Sequence, residues 1–411
     1  MPFGISILIY YNIPFMQPLS IPRERIYSVD VLRGLVMILM ALDHTRDFFH
    51  STAMTQDPLD VQTTHPMLYI TRWITHFCAP VFVFLSGLSV QLMNGRKTSK
   101  EISSFLMKRG LWLILVEITL VSFALSFNPL MNVVVLQVIW AIGISFVCLA
   151  LLVFLPWQVI LGLGLLITAS HNLLNYVEAK PGFEAGLWWQ LMHQTRYTFF
   201  EYLPGHGFIV LYPFLPWLGI MLMGYGFGRF FQADVGTVQR KRILVATGIT
   251  MMVVFVVVRW LNGYGDPRPW ASQPHWAATL GDFMNVQKYP PSLMYACATL
   301  GPALLVLAWL EGKKSRFTDI AKIYGSVPFF YYILHFYLIH LLCLIMFFVS
   351  GYGVNDIANP QVPFLFRPPD FGYPLGTVYL VWIGVVALLY PLCKRYAAYK
   401  QTHRKWWLSY L

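Results

Sequence analysis

The sequence predicts an all-α fold: a polytopic transmembrane helix bundle of about ten spans with both termini cytoplasmic. Three observations carry that expectation. The 29 Lys and Arg and 18 Asp and Glu amount to 11% of the 411 residues, where a soluble domain holds about 25%. Apolar residues make up 57% of the chain, gathered in runs near the ~20 residues that a spanning helix needs. The basic residues between those runs alternate in density, as the positive-inside rule requires. This composition excludes a disordered chain, a nucleic-acid module and most soluble enzymes. The net charge of +11 therefore belongs with basic cytoplasmic loops, not with a nucleic-acid partner.

Residues 1–27 read as a cytoplasmic lead. Residues 3–15 are mostly apolar, but they lack a basic n-region and an A-x-A-like cleavage site, which argues against a signal peptide. Met16 is an alternative start. Spans are expected near 28–49, 68–93, 106–127, 131–155, 157–175, 208–231, 243–261, 291–311, 325–350 and 374–394. The fifth is the weakest, with strongly apolar residues only from Val159 to Ala169. It is kept because it preserves the charge bias. With ten spans, twenty basic residues fall on the cytoplasmic side. Only Arg46, Arg72, Lys180, Arg196, Arg268, Lys288 and Arg367 fall outside, and Arg33 and Arg259 lie within spans. Removing one span would move every later loop to the other side. The membrane domain covers 28–396, and 397–411 form a basic cytoplasmic tail.

Three long outer loops, near 176–207, 262–290 and 351–373, are rich in Pro, Gly and Trp. Loops of this length in a compact protein are often functional. Trp188, Trp189, Trp270 and Trp276 lie in them, suited to an interfacial aromatic belt or to stacking on sugar rings. Cys78, Cys148, Cys297, Cys343 and Cys393 fall in or beside apolar runs without a CxxC pair, and read as small apolar residues.

The first span is unusual in its charge. Between Arg33 and Asp43 lie only nine uncharged residues, about 14 Å of helix. Charged groups must therefore sit within membrane depth or line a wet cavity, and such residues are functional candidates. Arg33 and His44 are eleven residues apart, about three turns and ~16 Å, so they share a face. Asp30 lies one turn from Arg33, and Asp47 one turn from His44. That face carries a cationic anchor near the cytoplasm and an Asp-flanked histidine toward the outside. The plain alternative is a pair of interface anchors with structural ion pairs.

In the second span Arg72 and His76 share a face at i, i+4. Pro80 is expected to kink the helix, and Ser86 and Gly87 to allow close packing. In the ninth span His335 and His340 point apart, while Tyr331 and His335 share a face. Glu117 in the third span is a candidate partner for Arg33. Asp43, Asp47, His50 and His76 lack the spacing of a metal motif, so no metal is expected. A P-loop, a G-x-S-x-G elbow and a dinucleotide fingerprint are absent from the sequence.

The run Ser28-Val-Asp-Val-Leu-Arg-Gly-Leu-Val-Met-Ile-Leu-Met40 resembles the opening helix of the heparan-alpha-glucosaminide N-acetyltransferase-like family. Ala79-Pro-Val-Phe-Val-Phe-Leu-Ser-Gly87 resembles its second distinctive helix, and Tyr324-Gly-Ser-Val-Pro-Phe-Phe-Tyr-Tyr-Ile-Leu-His335 is similar to its bacterial members. Arg33 and His44 also match the Arg, ten residues, His spacing of a wider set of integral-membrane acyltransferases. The resemblance implies acetyl transfer across the membrane. Acetyl-CoA is the donor, drawn from the cytoplasm, with no permanently bound cofactor. The acceptor is an amino or hydroxyl group of a sugar or envelope glycan at the outer face. A bacterial member would sit in the inner membrane, and a homo-oligomer is left open.

On that reading His44 or His50 is the base or the acyl carrier, and Asp43 or Asp47 orients the imidazole. Arg33 meets the CoA phosphate, and Asp30, Arg72, His76 and His335 complete the substrate-binding residues. The two histidines divide the resemblance: the heparan enzyme's active position lies nearer His50, and the wider set favours His44. The alternative is a multi-pass transporter of a small polar solute. Against it, the sequence has no internal repeat and no paired broken helices in matching halves.

Overall fold

The computed structural model describes residues 26–194, 196–359, 363–403 and 405–409. The expected lead up to residue 25, with Met16, lies outside the described residues. Helix α1 (Tyr27–Phe49) is largely buried and runs through the middle of the bundle. It is followed by α2 (Pro66–Gln91) and α3 (Ser99–Ser126), strand β1 (Val133–Leu136), α4 (Val138–Leu152) and α5 (Trp157–Glu178). Strands β2 (Phe199–Leu203) and β3 (His206–Val210) precede α6 (Phe214–Phe227). Then come α7 (Thr237–Leu261), α8 (Leu293–Leu310), α9 (Arg316–Ser326), α10 (Pro328–Val349) and α11 (Leu375–Thr402).

The protein is an all-α membrane bundle. Seven of the described helices, α2, α3, α5, α7, α8, α10 and α11, are long and apolar enough to cross a membrane. The weakest expected span, at 157–175, is among them as α5. The other three expected spans are also helical but differ in kind. Helix α1 has 23 residues and carries charges at both ends. Helix α4 has 15 residues, and α6 has 14, extended by a 3-10 turn at Gly228–Phe231. Helix α11 continues to Thr402, past the expected start of the tail at 397.

Two expected spans begin later than their apolar runs. Residues 133–136 and 206–210 are strands, joined in a three-stranded sheet of order β1-β3-β2. The pair β1–β3 is parallel and β2–β3 antiparallel. Val133, Val134 and Val135 are β-branched and prefer an extended backbone, and hydropathy alone cannot tell such a run from helix. Glu117 serves this region and not Arg33. Its buried carboxylate accepts from the backbone N–H of Gln137 (3.3 Å) and Trp140 (2.8 Å). It thereby caps the open N-terminus of α4, from a π-helical turn at Glu117–Val121.

Glycines set the closest helix contacts. A Cβ on Gly34 of α1 would overlap the Ala321 carbonyl of α9, and one on Gly325 of α9 would overlap the Asp30 carbonyl. The pair Gly87 and Gly224 does the same for α2 and α6, against the carbonyls of Met221 and Phe84. Small residues let apolar helices touch at the backbone, where dispersion is the main attraction.

Pro80 breaks α2. It has no N–H to donate to the His76 carbonyl, and the helix is interrupted at His76 and Phe77. The Tyr295 hydroxyl of α8 donates to that freed carbonyl at 2.8 Å. The long loop before α8 is knit by Asp266, which accepts from Ser292 Oγ (2.6 Å) and from the N–H groups of Gln287 and Arg268 (both 2.9 Å). Burial raises the Asp266 carboxyl above its ordinary range, and those hydrogen bonds oppose the rise.

Candidate functional site

Helix α1 places its two charged ends at different cavities. At the N-terminal end Arg33 donates to Asp30 Oδ1 (2.8 Å), to Ser89 Oγ (2.7 Å) and to the Gly325 carbonyl (3.2 Å). The Gly34–Gly325 contact brings that carbonyl within reach. Arg33 lines two neighbouring cavities of about 300 and 310 Å³, which also share Ser89 and Met93. Arg96 and Lys97 face the first, and Arg109 and Lys400 the second. The second cavity continues between apolar walls at Phe82, Leu113 and Phe329. Five cations at one end with an apolar throat behind suit an anionic head group carrying a long arm.

At the C-terminal end of α1 the aspartates hold basic residues. Asp43 accepts from Arg72 (2.7 and 3.0 Å), Thr75 Oγ1 (2.8 Å), Arg46 (3.2 Å) and Lys288 Nζ (3.3 Å). Asp47 accepts from Arg46 at 2.5 Å. Arg46, Asp47, Arg72, His76 and Lys288 line a polar cavity of about 250 Å³. The ring of His76 is buried there, and neither of its nitrogens has a hydrogen-bond partner among the described residues.

His44 is oriented differently from the expectation that Asp43 or Asp47 would hold it. Its Nδ1 lies 2.7 Å from His335 Nε2 of α10. The other nitrogen of His335, Nδ1, lies 3.1 Å from the Tyr331 carbonyl. A carbonyl only accepts, so His335 Nδ1 carries the hydrogen. In the neutral ring Nε2 then accepts, and His44 Nδ1–H is the donor. His44 Nε2 is left with a free lone pair. Phe336 packs on the His44 ring with centroids 4.0 Å apart, and Tyr331 stacks on His335 at 5.3 Å. The hydroxyls of Tyr331 and Tyr332 have no hydrogen-bond partner among the described residues.

His50 stands apart. It caps the C-terminus of α1, and its Nδ1 accepts from Thr52 N–H (3.3 Å) and faces Thr52 Oγ1 (3.1 Å). The buried Arg367 donates to its carbonyl at 2.7 Å. His340 spans the carbonyls of Ala124 and Leu365, both at 2.9 Å.

Of the residues singled out in the sequence, the fold brings together Arg33 with Asp30, Asp43 with Arg72, Asp47 with Arg46, and His44 with His335. Sequence reasoning missed Thr75 and Lys288 as partners of Asp43, and Arg109 and Lys400 at the Arg33 cavity. A signal for Lys288 was present, because it is a basic residue on the side that the positive-inside rule disfavours. Of the four loop tryptophans, two have structural bonds: Trp189 donates to Glu178 and Trp270 to the Arg259 carbonyl. Trp188 and Trp276 are exposed. Among the described residues no group of three or more His, Cys, Asp or Glu side chains forms a metal-ligand set.

The sequence profile of heparan-alpha-glucosaminide N-acetyltransferase, catalytic, matches residues 25–261. The chain belongs to that family. It is therefore a membrane N-acetyltransferase by family, and its apolar helices make it an integral membrane protein. The match covers Arg33, His44 and His50 but ends before Lys288 and His335. No curated protein matches the chain.

Proposed function

We propose that the protein moves an acetyl group from cytoplasmic acetyl-CoA to an amino or hydroxyl group of a sugar or envelope glycan at the outer face, with His44 as the base. The observation that carries this is the His44–His335 hydrogen bond with His335 anchored on the Tyr331 carbonyl, which leaves His44 Nε2 unprotonated. The acceptor nitrogen or oxygen attacks the thioester carbonyl carbon, and His44 Nε2 takes its proton. The carbon–sulfur bond breaks, and the His44 imidazolium returns that proton to the leaving thiolate. His335 is a positioning residue that fixes the His44 tautomer.

The two ends of α1 fit a donor and an acceptor on opposite sides. The Arg33 cavities draw their cations from segments that the basic-residue bias assigns to the cytoplasm, and suit the CoA phosphates. The polar cavity draws on loops assigned to the opposite face and suits the acceptor. Both termini are then cytoplasmic, and the membrane is the inner membrane of a bacterium. The same-face spacing of Arg33 and His44, about 16 Å along α1, lets one extended donor reach from its phosphates to the base.

The test uses purified protein in lipid nanodiscs with radiolabelled acetyl-CoA and glucosamine. Wild type should release CoA and label the acceptor. His44→Ala should lose turnover by about 10²–10⁴-fold, and His50→Ala should retain it when folded. Loss in His50→Ala with full turnover in His44→Ala would reassign the base.

A further inference from the structure

The polar outer cavity has an apolar neighbour. A groove of about 530 Å³ runs beside it, lined by Val61, Tyr69, Ile70, Trp73, Trp276 and Leu280. The Tyr69 hydroxyl is tied to the Gly281 carbonyl at 2.6 Å, so it offers the groove no free donor. Trp276 is 81% exposed, and Leu280 and Ile70 are 53% and 50% exposed. The same two stretches of chain build both spaces. Residues 57–59 line the polar cavity and Val61 and Thr64 the groove. Residues 285–289 line the polar cavity and the short helix Trp276–Met284 the groove. Asn285 Nδ2 donates to the Leu59 carbonyl at the junction, 3.2 Å away.

The polar side is one negative charge short. Among the described residues, the buried Arg46 and Lys288 and the partly buried Arg72 share only Asp43 and Asp47. Arg268 faces Asp57 at 3.8 Å. A buried cation in excess of its carboxylates calls for an anion from a ligand. The His76 ring, 2% exposed and without a hydrogen-bond partner among the described residues, lines the same space.

We infer that the acceptor is a membrane-borne amphiphile, a sugar joined through a phosphate to an apolar chain, with the head in the polar cavity and the chain in the Trp276 groove. This rests on the acetyl-transfer reading and names its acceptor class. The phosphate meets the unmatched charge of Arg72 and Lys288. The chain covers an apolar face that the protein itself leaves open. A free sugar would leave both unsatisfied.

The experiment compares glucosamine joined through a phosphodiester to a dodecyl or a methyl group, and dodecyl glucosaminide without phosphate, in nanodiscs. Each methylene taken from water favours binding by about fourfold, so a chain that is only partly bound lowers KM at least tenfold against the methyl acceptor. Ala278→Trp, which fills the groove, should abolish the difference between dodecyl and methyl acceptors. Lys288→Gln should abolish the difference between the two dodecyl acceptors while the chain preference stays. Equal KM for all three acceptors in the wild type would overturn the inference.

A second readout needs no turnover. A diazirine at the end of the dodecyl chain should label the 276–284 peptide, and unlabelled dodecyl phosphodiester should displace it. Equal labelling by a diazirine phosphatidylcholine, with no displacement by the acceptor, would mean annular lipid only and also overturn it. Displaceable labelling without any CoA release would keep the binding site and sink the acetyl-transfer reading instead.

Discussion

Two histidine pairs in this molecule share a geometry and differ in what holds them. His44 Nδ1 meets His335 Nε2 at 2.7 Å, and His171 Nδ1 meets His193 Nε2 at 3.1 Å. The inner ring of the first pair is anchored on a carbonyl, that of Tyr331. The inner ring of the second is anchored on a carboxylate: His193 Nδ1 lies 2.6 Å from Glu178 Oε1. A carbonyl fixes a tautomer and adds no charge, so the outer ring stays neutral with a lone pair to use. A carboxylate accepts from the ring more strongly and ties it to a group that other donors share. Trp189 and Gln194 also donate to Glu178, and His171 and His193 are both buried. The second pair is a clasp for the 171–194 segment. The first pair, with His44 only partly buried at the middle of the bundle, is the one proposed to move a proton.

The sharpest way to break this comparison is to remove the outer ring of each pair. His44→Ala should lower the rate of CoA release by about 10²–10⁴-fold, with the thermal unfolding midpoint little changed. His171→Ala should do the reverse, lowering the midpoint while turnover per folded molecule holds. Equal losses of turnover in both variants, measured on folded protein, would erase the distinction.

The anchor residue of the Arg33 cavities comes next. Arg33→Gln removes hydrogen bonds to a charged group, each worth about 1.5–3 kcal/mol. The KM for acetyl-CoA should rise about 10- to 100-fold while the rate at saturation falls less. An unchanged KM would remove the donor from that end of α1.

A smaller effect follows from replacing the positioning ring. In His335→Gln the amide oxygen can still accept from His44 Nδ1, so only one neutral hydrogen bond of about 0.5–1.5 kcal/mol is at stake. Turnover should fall by no more than about tenfold, and His335→Leu should fall further. If the two substitutions behave alike, the hydrogen bond is not what orients His44.

The clasp gives the converse result. Glu178→Ala leaves His193 Nδ1 without its acceptor, a loss of about 1–3 kcal/mol for a buried polar group. Proteolysis of the 171–194 loop should speed up, with little change in turnover on molecules that remain folded. A large loss of turnover with the loop intact would give the second pair a part in the chemistry.

Much of the bundle was legible in the sequence, because a bilayer demands long apolar runs and asymmetric basic loops. The weak run at 157–175 was recovered only through the basic residues on either side of it. Strands β1 and β3 were not legible, since Val133–Leu136 pairs with residues more than seventy positions away. Gly87 was read correctly as a contact point, and Gly34 was not singled out at all. Arg33, Asp43, His44 and Arg72 were visible because ionisable residues within spans are costly and need a reason. Lys288, Lys400 and His335's role as the partner of His44 were not. Each sits on a different element, and no local spacing relates them to α1.

By itself, then, the sequence determined the class of protein, most of its apolar helices and the charged face of α1. These follow from hydropathy, from charge and from the 3.6-residue repeat, all of which act along one stretch of chain. Only the tertiary structure decided which nitrogen of His44 is free, that Asp43 holds Arg72 and Lys288 instead of the imidazole, and that Glu117 caps α4. Those outcomes depend on which donor meets which acceptor across helices. A hydrogen bond is set by distances of a few tenths of an ångström, which packing fixes and residue order does not record.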